Sequence, residues 1–359
     1  MKDARENSFD LLRLLAAFFV YFSHQMAFLG YEEPALGPLG ISLASTGLYI
    51  FFALSGYLVF KSLARSSDPW RYFLARGLRI YPGAIANVIF CVALGACITT
   101  LPLSTFLATP QTWAYAFHNA SIFITPTQLE LPGVLAAARW PVVNGSIWTI
   151  KYELLCYVLL FAAYRLALST RVSIRNTIGF FALIAACLYV WYISTHSNPA
   201  PEIFFTSYNW FNIFRFFMTF LFGAFVAASE PHGDRIRLSL LSLPAALIVF
   251  GPSHEFSRCG IILLLTYFVI EIGKSRLLYS ATYRRIGDLS YGCFLYAYPV
   301  QNTVNTALSN GTNFWFLTAL TTMLTFVCAY LSWQLVERPF LGFKLRAKQR
   351  GSAGSETQH

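Results

Sequence analysis

FDLLRLLAAFFVYFSHQMAFL, residues 9–29, sets three titratable side chains, Asp10, Arg13 and His24, in an otherwise apolar run. In lipid every backbone N–H and C=O must be satisfied within its own segment, so an apolar stretch of roughly 20 residues reads as a spanning helix. The pattern recurs along the chain, with spans expected at about Leu11–Leu29, Ile41–Phe60, Ile80–Ile98, Ile147–Ala167, Ile178–Ser194, Trp210–Ala228, Leu238–Gly251, Gly260–Gly273, Leu289–Leu308 and Phe314–Val336. The seventh and eighth are the shortest. Composition agrees: 56% of the 359 residues are hydrophobic and 12% charged, more apolar surface than a soluble globule needs. The fold expected is all-α and integral to the membrane, with about ten transmembrane helices.

Sidedness follows from the 26 Lys and Arg, because cytoplasmic loops keep an excess of positive charge. With the N-terminus inside, 21 of the 26 fall in inner segments, among them Lys61, Arg65, Arg71, Arg76, Arg79, Arg165, Lys274 and Arg338. Only Arg139 and Arg258 fall outside, while Arg13, Lys151 and Arg215 lie within spans. That asymmetry predicts both termini in the cytoplasm. The net charge of +10 is then explained by topology and anionic lipid, with no nucleic-acid partner.

The first apolar run is too long for a cleaved leader and lacks a small-residue cleavage site after it, so it is expected to stay as the first helix. Residues 1–340 form the membrane domain, followed by a basic tail at 341–359 whose last residues, Gly351 to His359, are expected to be disordered. The seven cysteines lack CxxC spacing and read as buried free thiols, and no span offers two histidines for a metal or haem. The largest non-spanning piece, Thr99 to Ser146, carries Trp113, Tyr115, Phe117 and Trp140, which read either as an interfacial aromatic belt or as a platform for a sugar face.

Charged groups inside spans are costly and therefore functional candidates. They are Asp10, Arg13, His24, Lys151, Glu153, Arg215, Glu271 and Asp288. Arg13 and His24 are eleven residues apart, three helical turns plus roughly 20° and about 16 Å of rise, so they share one face. Asp10 lies one turn before Arg13, within reach of an i,i+3 pair. Such a face suits a substrate with an anionic head at the cytoplasmic surface and a reactive end deeper in, the shape of an acyl-coenzyme A. A guanidinium grips phosphate, and a neutral imidazole can take a proton from a hydroxyl or take up an acyl group. The alternative for His24 is a packing hydrogen bond across helices. Arg76 and Arg79, one turn apart at the inner start of the third helix, read as topology anchors or as a clamp for the same phosphates. Glu153 reads as a partner for His24, a ligand for an acceptor hydroxyl, or a satisfied structural carboxylate.

These residues resemble the acyltransferase-3 family of membrane O-acyltransferases over nearly the whole chain. FDLLRLLAAFFVYFSH is similar to the family's first-helix signature, with Arg13 and His24 at its marked positions and Asp10 at its acidic one. FFALSGYLVF resembles the FFxxSGxL pattern at Ser55 and Gly56. YFLARGLRIYP carries the RxxR element as Arg76 and Arg79, and VNGSIWTIKYE resembles the boundary that marks Trp148 and Glu153. LSYGCFLYAYPVQ is similar to the SYGxYLxxxPxQ segment, placing Ser290 and Tyr291, and VERPF to the closing VExPF. Two departures stand out: Ala297 replaces a histidine common in the ninth helix, and the chain ends about 22 residues after Glu337, so no SGNH-type domain is expected.

The resemblance implies transfer of an acyl group, commonly acetyl from acetyl-coenzyme A, to a hydroxyl of a cell-envelope or exported carbohydrate, lipid-linked carriers included. His24 and Glu153 would be catalytic. Arg13, Arg76 and Arg79 would bind the donor, and Asp10, Ser55, Trp148, Ser290 and Tyr291 would support the site. Acyl-coenzyme A would be a donor substrate rather than a resident cofactor, and no metal is expected. The setting implied is the bacterial inner membrane, where capsule, O-antigen of lipopolysaccharide or exopolysaccharide units are the candidate acceptors. Two other readings stay open: a transporter or flippase of a lipid-linked sugar with His24 and Glu153 as a proton relay, and a non-catalytic scaffold.

Overall fold

A computed structural model describes residues 7–36, 40–66, 68–122, 126–196, 202–203, 208–232, 240–308 and 311–342. Helices dominate, as the apolar runs require. The first eight are α1 (Phe9–Phe28), α2 (Leu43–Arg65), α3 (Pro69–Ile98), α4 (Leu103–Ala108), α5 (Pro110–Ser121), α6 (Ile150–Thr170), α7 (Ile174–Thr195) and α8 (Trp210–Ser229). After them come α9 (Ser242–Phe250), α10 (His254–Lys274), α11 (Ala281–Ile286), α12 (Ser290–Leu308) and α13 (Phe314–Ser332). Among the described residues, eight helices are long and apolar enough to cross a membrane. A ninth, α12, has 19 residues, about 28 Å, but its outer half carries Gln301, Asn302 and Asn305. Those side chains turn to protein: Gln301 donates to the Tyr21 carbonyl and to Gln25, and Asn302 to the carbonyls of Trp140 and Val142.

The expected seventh span, Leu238–Gly251, is helical over only nine described residues, Ser242–Phe250, about 13 Å and short of the bilayer core. Its first residues lie outside the described ones, as does the tail from 343 onward. Two further expectations change. The third helix starts eleven residues before Ile80, at Pro69, because Asp68 accepts the Arg71 N–H and proline suits the first turn. Arg76 and Arg79 are therefore two to three turns inside a helix rather than at its edge. The segment after Thr99 is also partly helical, as α4 and α5. Besides helices, the described residues form two antiparallel two-residue ladders, Ala35–Leu36 with Ile41–Ser42 and Glu202–Ile203 with Tyr208–Asn209.

One face of the bundle collects the basic ends. The Ser8 amide donates to the Gly273 carbonyl, so α1 begins where α10 ends. Lys61 and Lys274 pair with Glu230, joining the ends of α2, α10 and α8. Leu341, Arg13 and Arg79 meet at this face too. By the excess of positive charge it is the cytoplasmic one. Large apolar side chains such as Ile89, Phe180, Trp191 and Leu335 stay exposed on the perimeter, where lipid replaces water as their surroundings.

With lipid as solvent, helix association relies on close packing of small residues. A Cβ on Gly56 would collide with the Phe220 carbonyl, and one on Gly223 with that of Ala53, so α2 and α8 touch backbone to backbone. Pro299 removes an amide from α12 and frees the carbonyl four residues earlier, that of Leu295. Asn87 of α3 and Asn144 of the loop before α6 donate to that carbonyl at 3.1 and 3.0 Å, and Asn144 donates to Asn87 at 2.7 Å. The freed group thus fastens α12 to α3 and to the NGSIW segment.

Candidate active site

Two cavities lie one above the other inside the bundle. The inner one, about 350 Å³, opens among α2, α3, α6 and α12 and is lined by Arg13, Arg65, Arg76 and Arg79 with Ser55, Glu153, Tyr157, Ser290 and Tyr291. The outer one, about 240 Å³, is lined by Ser23, His24, Glu33, Ser45, Trp148 and Arg215. Leu48, Thr149 and Phe294 line both. Helical rise sets the order: on α12, Phe294 stands one turn above Tyr291 and one turn below Tyr298, whose ring lies edge-on to His24 at 5.0 Å.

In the inner cavity the arginines are not equivalent. Asp288, just before α12, accepts from Arg79 in a short contact and from Arg13 at 3.4 Å, bringing together residues 209 and 275 positions apart. Arg76 makes no ion pair among the described residues; its guanidinium lies 5.8 Å from the Tyr157 ring and its Nε is buried without a hydrogen-bond partner. Four guanidinium groups against Glu153 and Asp288 leave the cavity positively charged. A buried, unpaired guanidinium nitrogen is expensive unless a ligand satisfies it, and bidentate recognition of phosphate is what this group does well.

Glu153 accepts from Ser55 Oγ at 2.9 Å and, in a short contact, from Tyr157 OH. This explains the serine of the FFALSG stretch. The carboxylate that shares a cavity with His24 is Glu33, which accepts from Ser23. His24 Nδ1 is buried without a partner, so nothing in the described chain fixes one tautomer of the ring.

Of the residues singled out from sequence, Arg13, Arg76, Arg79, Ser55, Glu153, Ser290 and Tyr291 converge on the inner cavity and His24 and Trp148 on the outer. Asp10 lines neither cavity, and Arg13 pairs with Asp288. Ser290 donates to Asp288, and Tyr291 OH to the Ile80 carbonyl at 2.9 Å, so both hold the arginine platform. Trp113, Tyr115, Phe117 and Trp140 line neither cavity, and Tyr115 is a buried packing residue. Ala297, on α12, is buried. Sequence reasoning missed Glu33, Tyr157 and Glu337 and gave no role to Arg215 or Asp288. Arg215 is 7% exposed, donates to Ser45 at 3.3 Å and sits 4.7 and 4.6 Å from the rings of Phe211 and Phe216. Glu337 is buried in a π-helical turn, Trp333–Glu337, against Ser332. A charge within a span was the available signal for Arg215, and the VERPF motif for Glu337.

The family profile described as an acyltransferase domain matches residues 6–333. An O-acetyl transferase of Shigella phage Sf6 is 28% identical over 349 residues, covering 94% of this chain and 96% of the relative. Nodulation protein 10 of Rhizobium leguminosarum bv. viciae is 27% identical over 369 residues, covering 95% and 94%. No solved structure matches. The chain belongs to the acyltransferase-3 family and is a multi-pass membrane O-acyltransferase.

Proposed function

We propose that this protein moves an acetyl group from cytoplasmic acetyl-coenzyme A to a hydroxyl of an envelope or exported carbohydrate, in a bacterial inner membrane. The observation that carries the reading is the stacking of the two cavities: a cationic chamber, in which Arg76 Nε has no partner among the described residues, lies on the cytoplasmic side of the chamber that holds His24. Phosphates of the donor rest on Arg13, Arg76 and Arg79, and the pantetheine arm runs up past Ser55 and Tyr157. A sugar hydroxyl enters the outer chamber beside Trp148 and Glu33.

His24 removes the proton from that hydroxyl as the oxygen attacks the thioester carbon. The new C–O bond forms, the C–S bond breaks, and the proton passes from the imidazole to the departing thiolate, leaving an ester and free coenzyme A. Arg13 and Arg79, pre-paired by Asp288, hold the donor in place. Direct transfer is preferred to an acyl-imidazole, and rapid acetyl-coenzyme A hydrolysis without acceptor would reverse that preference. A proton relay from His24 to Glu153 finds no support in the geometry, since the two side chains line different chambers. The name of the phage relative, an O-acetyl transferase, supports acetyl as the group and a hydroxyl as its acceptor.

The decisive experiment follows label from acetyl-coenzyme A into surface polysaccharide, with wild type and His24→Ala at matched membrane expression. Label that vanishes in the variant supports the reading. Equal label in both removes His24 from the chemistry.

A further inference from the structure

We propose that Leu48, Thr149 and Phe294 form a size-selective wall that admits a two-carbon acyl group and rejects longer ones. The inference rests on the acyltransferase reading and deepens it by assigning the residues that choose the donor.

These three residues line both chambers and come from three different elements: α2, the turn before α6, and α12. Above and below them the sequence register changes chamber. On α2, Ser45 faces the outer chamber and Ser55 the inner; before and within α6, Trp148 faces the outer and Glu153 the inner. A thioester held from the cytoplasmic side and a hydroxyl supplied from the other must therefore meet at this level. The acyl chain of the donor lies against whatever forms the wall.

Discrimination by size requires a wall that does not yield, and each member of this one adjoins a fixed point. Leu48 follows Gly47, where α2 packs on the Ala16 carbonyl so closely that a Cβ would collide. Phe294 precedes Leu295, whose carbonyl is gripped by Asn87 and Asn144, and its ring is braced edge-on by Phe51 at 5.5 Å. Thr149 closes its turn through its hydroxyl, 3.2 Å from the Ser146 carbonyl. All three side chains are buried, Phe294 and Leu48 at 7% exposure and Thr149 at 5%. A closely packed interior resists displacement, and a methylene that does not fit an apolar site changes rates by roughly 10- to 200-fold.

The chemistry is the same for every donor: the C–S bond of the thioester breaks, the C–O bond of the ester forms, and the hydroxyl proton ends on the thiol. Only the length of the chain carried differs. Trimming the wall should therefore change which donor is used more than how the transfer is made.

The test uses full-length protein in native membranes that carry the polysaccharide acceptor, supplied in separate reactions with labelled acetyl- and butyryl-coenzyme A. The readout is the ratio of butyryl to acetyl incorporated. Phe294→Ala and Leu48→Ala should each raise that ratio about tenfold or more. Phe294→Leu, which trims less volume from the same site, should move it in the same direction by less, and Trp315→Ala on the lipid-facing surface should leave it at the wild-type value. A ratio unchanged in the wall variants, or raised as much by Trp315→Ala, overturns the proposal. Wild type that transfers acetyl and butyryl equally well also overturns it. Wild type that transfers neither sinks the proposed coenzyme A donor and polysaccharide acceptor instead, which separates the two failures.

Discussion

Arg76 and Arg79 stand one turn apart on α3, and their partners make them different residues. Arg79 and Arg13 share Asp288, so removing Arg79 takes away the closer of the two cations on that carboxylate and costs the fold as well as the donor. Arg76 has no such partner among the described residues, and in the proposed function its Nε is left for the donor. Arg76→Ala should therefore raise the KM for acetyl-coenzyme A roughly tenfold while leaving kcat and thermal unfolding in detergent close to wild type, the signature of lost uniform binding. Arg79→Ala should raise KM and also lower the unfolding temperature. Equal stability losses in both variants would remove the distinction. Asn144 belongs at the same scale: Asn144→Ala strips one of two donors from a proline-freed carbonyl and should destabilise the protein by about 1–3 kcal/mol, read by chemical or thermal unfolding.

Among the elements, α2 carries the most demands. Its Gly56 and Gly223 of α8 bring two backbones together, Gly47 does the same towards α1, and between them Leu48 and Ser55 reach the two chambers. Gly56→Ala places a methyl into the Phe220 carbonyl, and separating the helices to relieve it should cost about 1–3 kcal/mol and shift Ser55 away from Glu153. Both a lower unfolding temperature and a lower transfer rate are expected; a variant as stable and active as wild type would show that the two helices can slide apart freely. The Ser-Gly pair is legible in the sequence as a motif. That the glycine serves packing while the serine serves a carboxylate 98 residues away is not, because neighbouring positions on a helix point 100° apart and only the packed bundle says what each meets.

Across the whole molecule the two faces differ in charge, and the cytoplasmic face is also clamped. Burial by itself favours the protonated acid at Glu230, but hydrogen bonds from Tyr57 and Lys61, with the charges of Lys61 and Lys274, hold its carboxyl below the usual range. A carboxylate depressed in the folded state stabilises the fold fully above its unfolded pKa, about 4.3, and the contribution is lost as pH falls through the folded value. Unfolding temperature in detergent should therefore drop as pH is taken below about 4.3, and Glu230→Gln should flatten that dependence while lowering stability at pH 7. A slope that survives the substitution would place the acid sensitivity elsewhere.

The class of this protein is already legible in its segments: apolar runs of bilayer length, Lys and Arg on one side, and Arg13 and His24 on one helical face. These are properties of single segments in lipid, where hydrogen bonding is local and periodicity is enough. The sequence also named most of the charged side chains that line the chambers, because a charge inside a span is too costly to be idle. Tertiary structure decided the rest. It divided those residues between two chambers, gave Glu153 to Ser55 and Tyr157 while Glu33 came to share a chamber with His24, and paired Arg13 and Arg79 through Asp288. It also built the wall of Leu48, Thr149 and Phe294, three ordinary residues in sequence. Their position depends on where glycine contacts let helices approach and where a proline leaves a carbonyl to be bound, and those are facts about pairs of segments that no single segment contains.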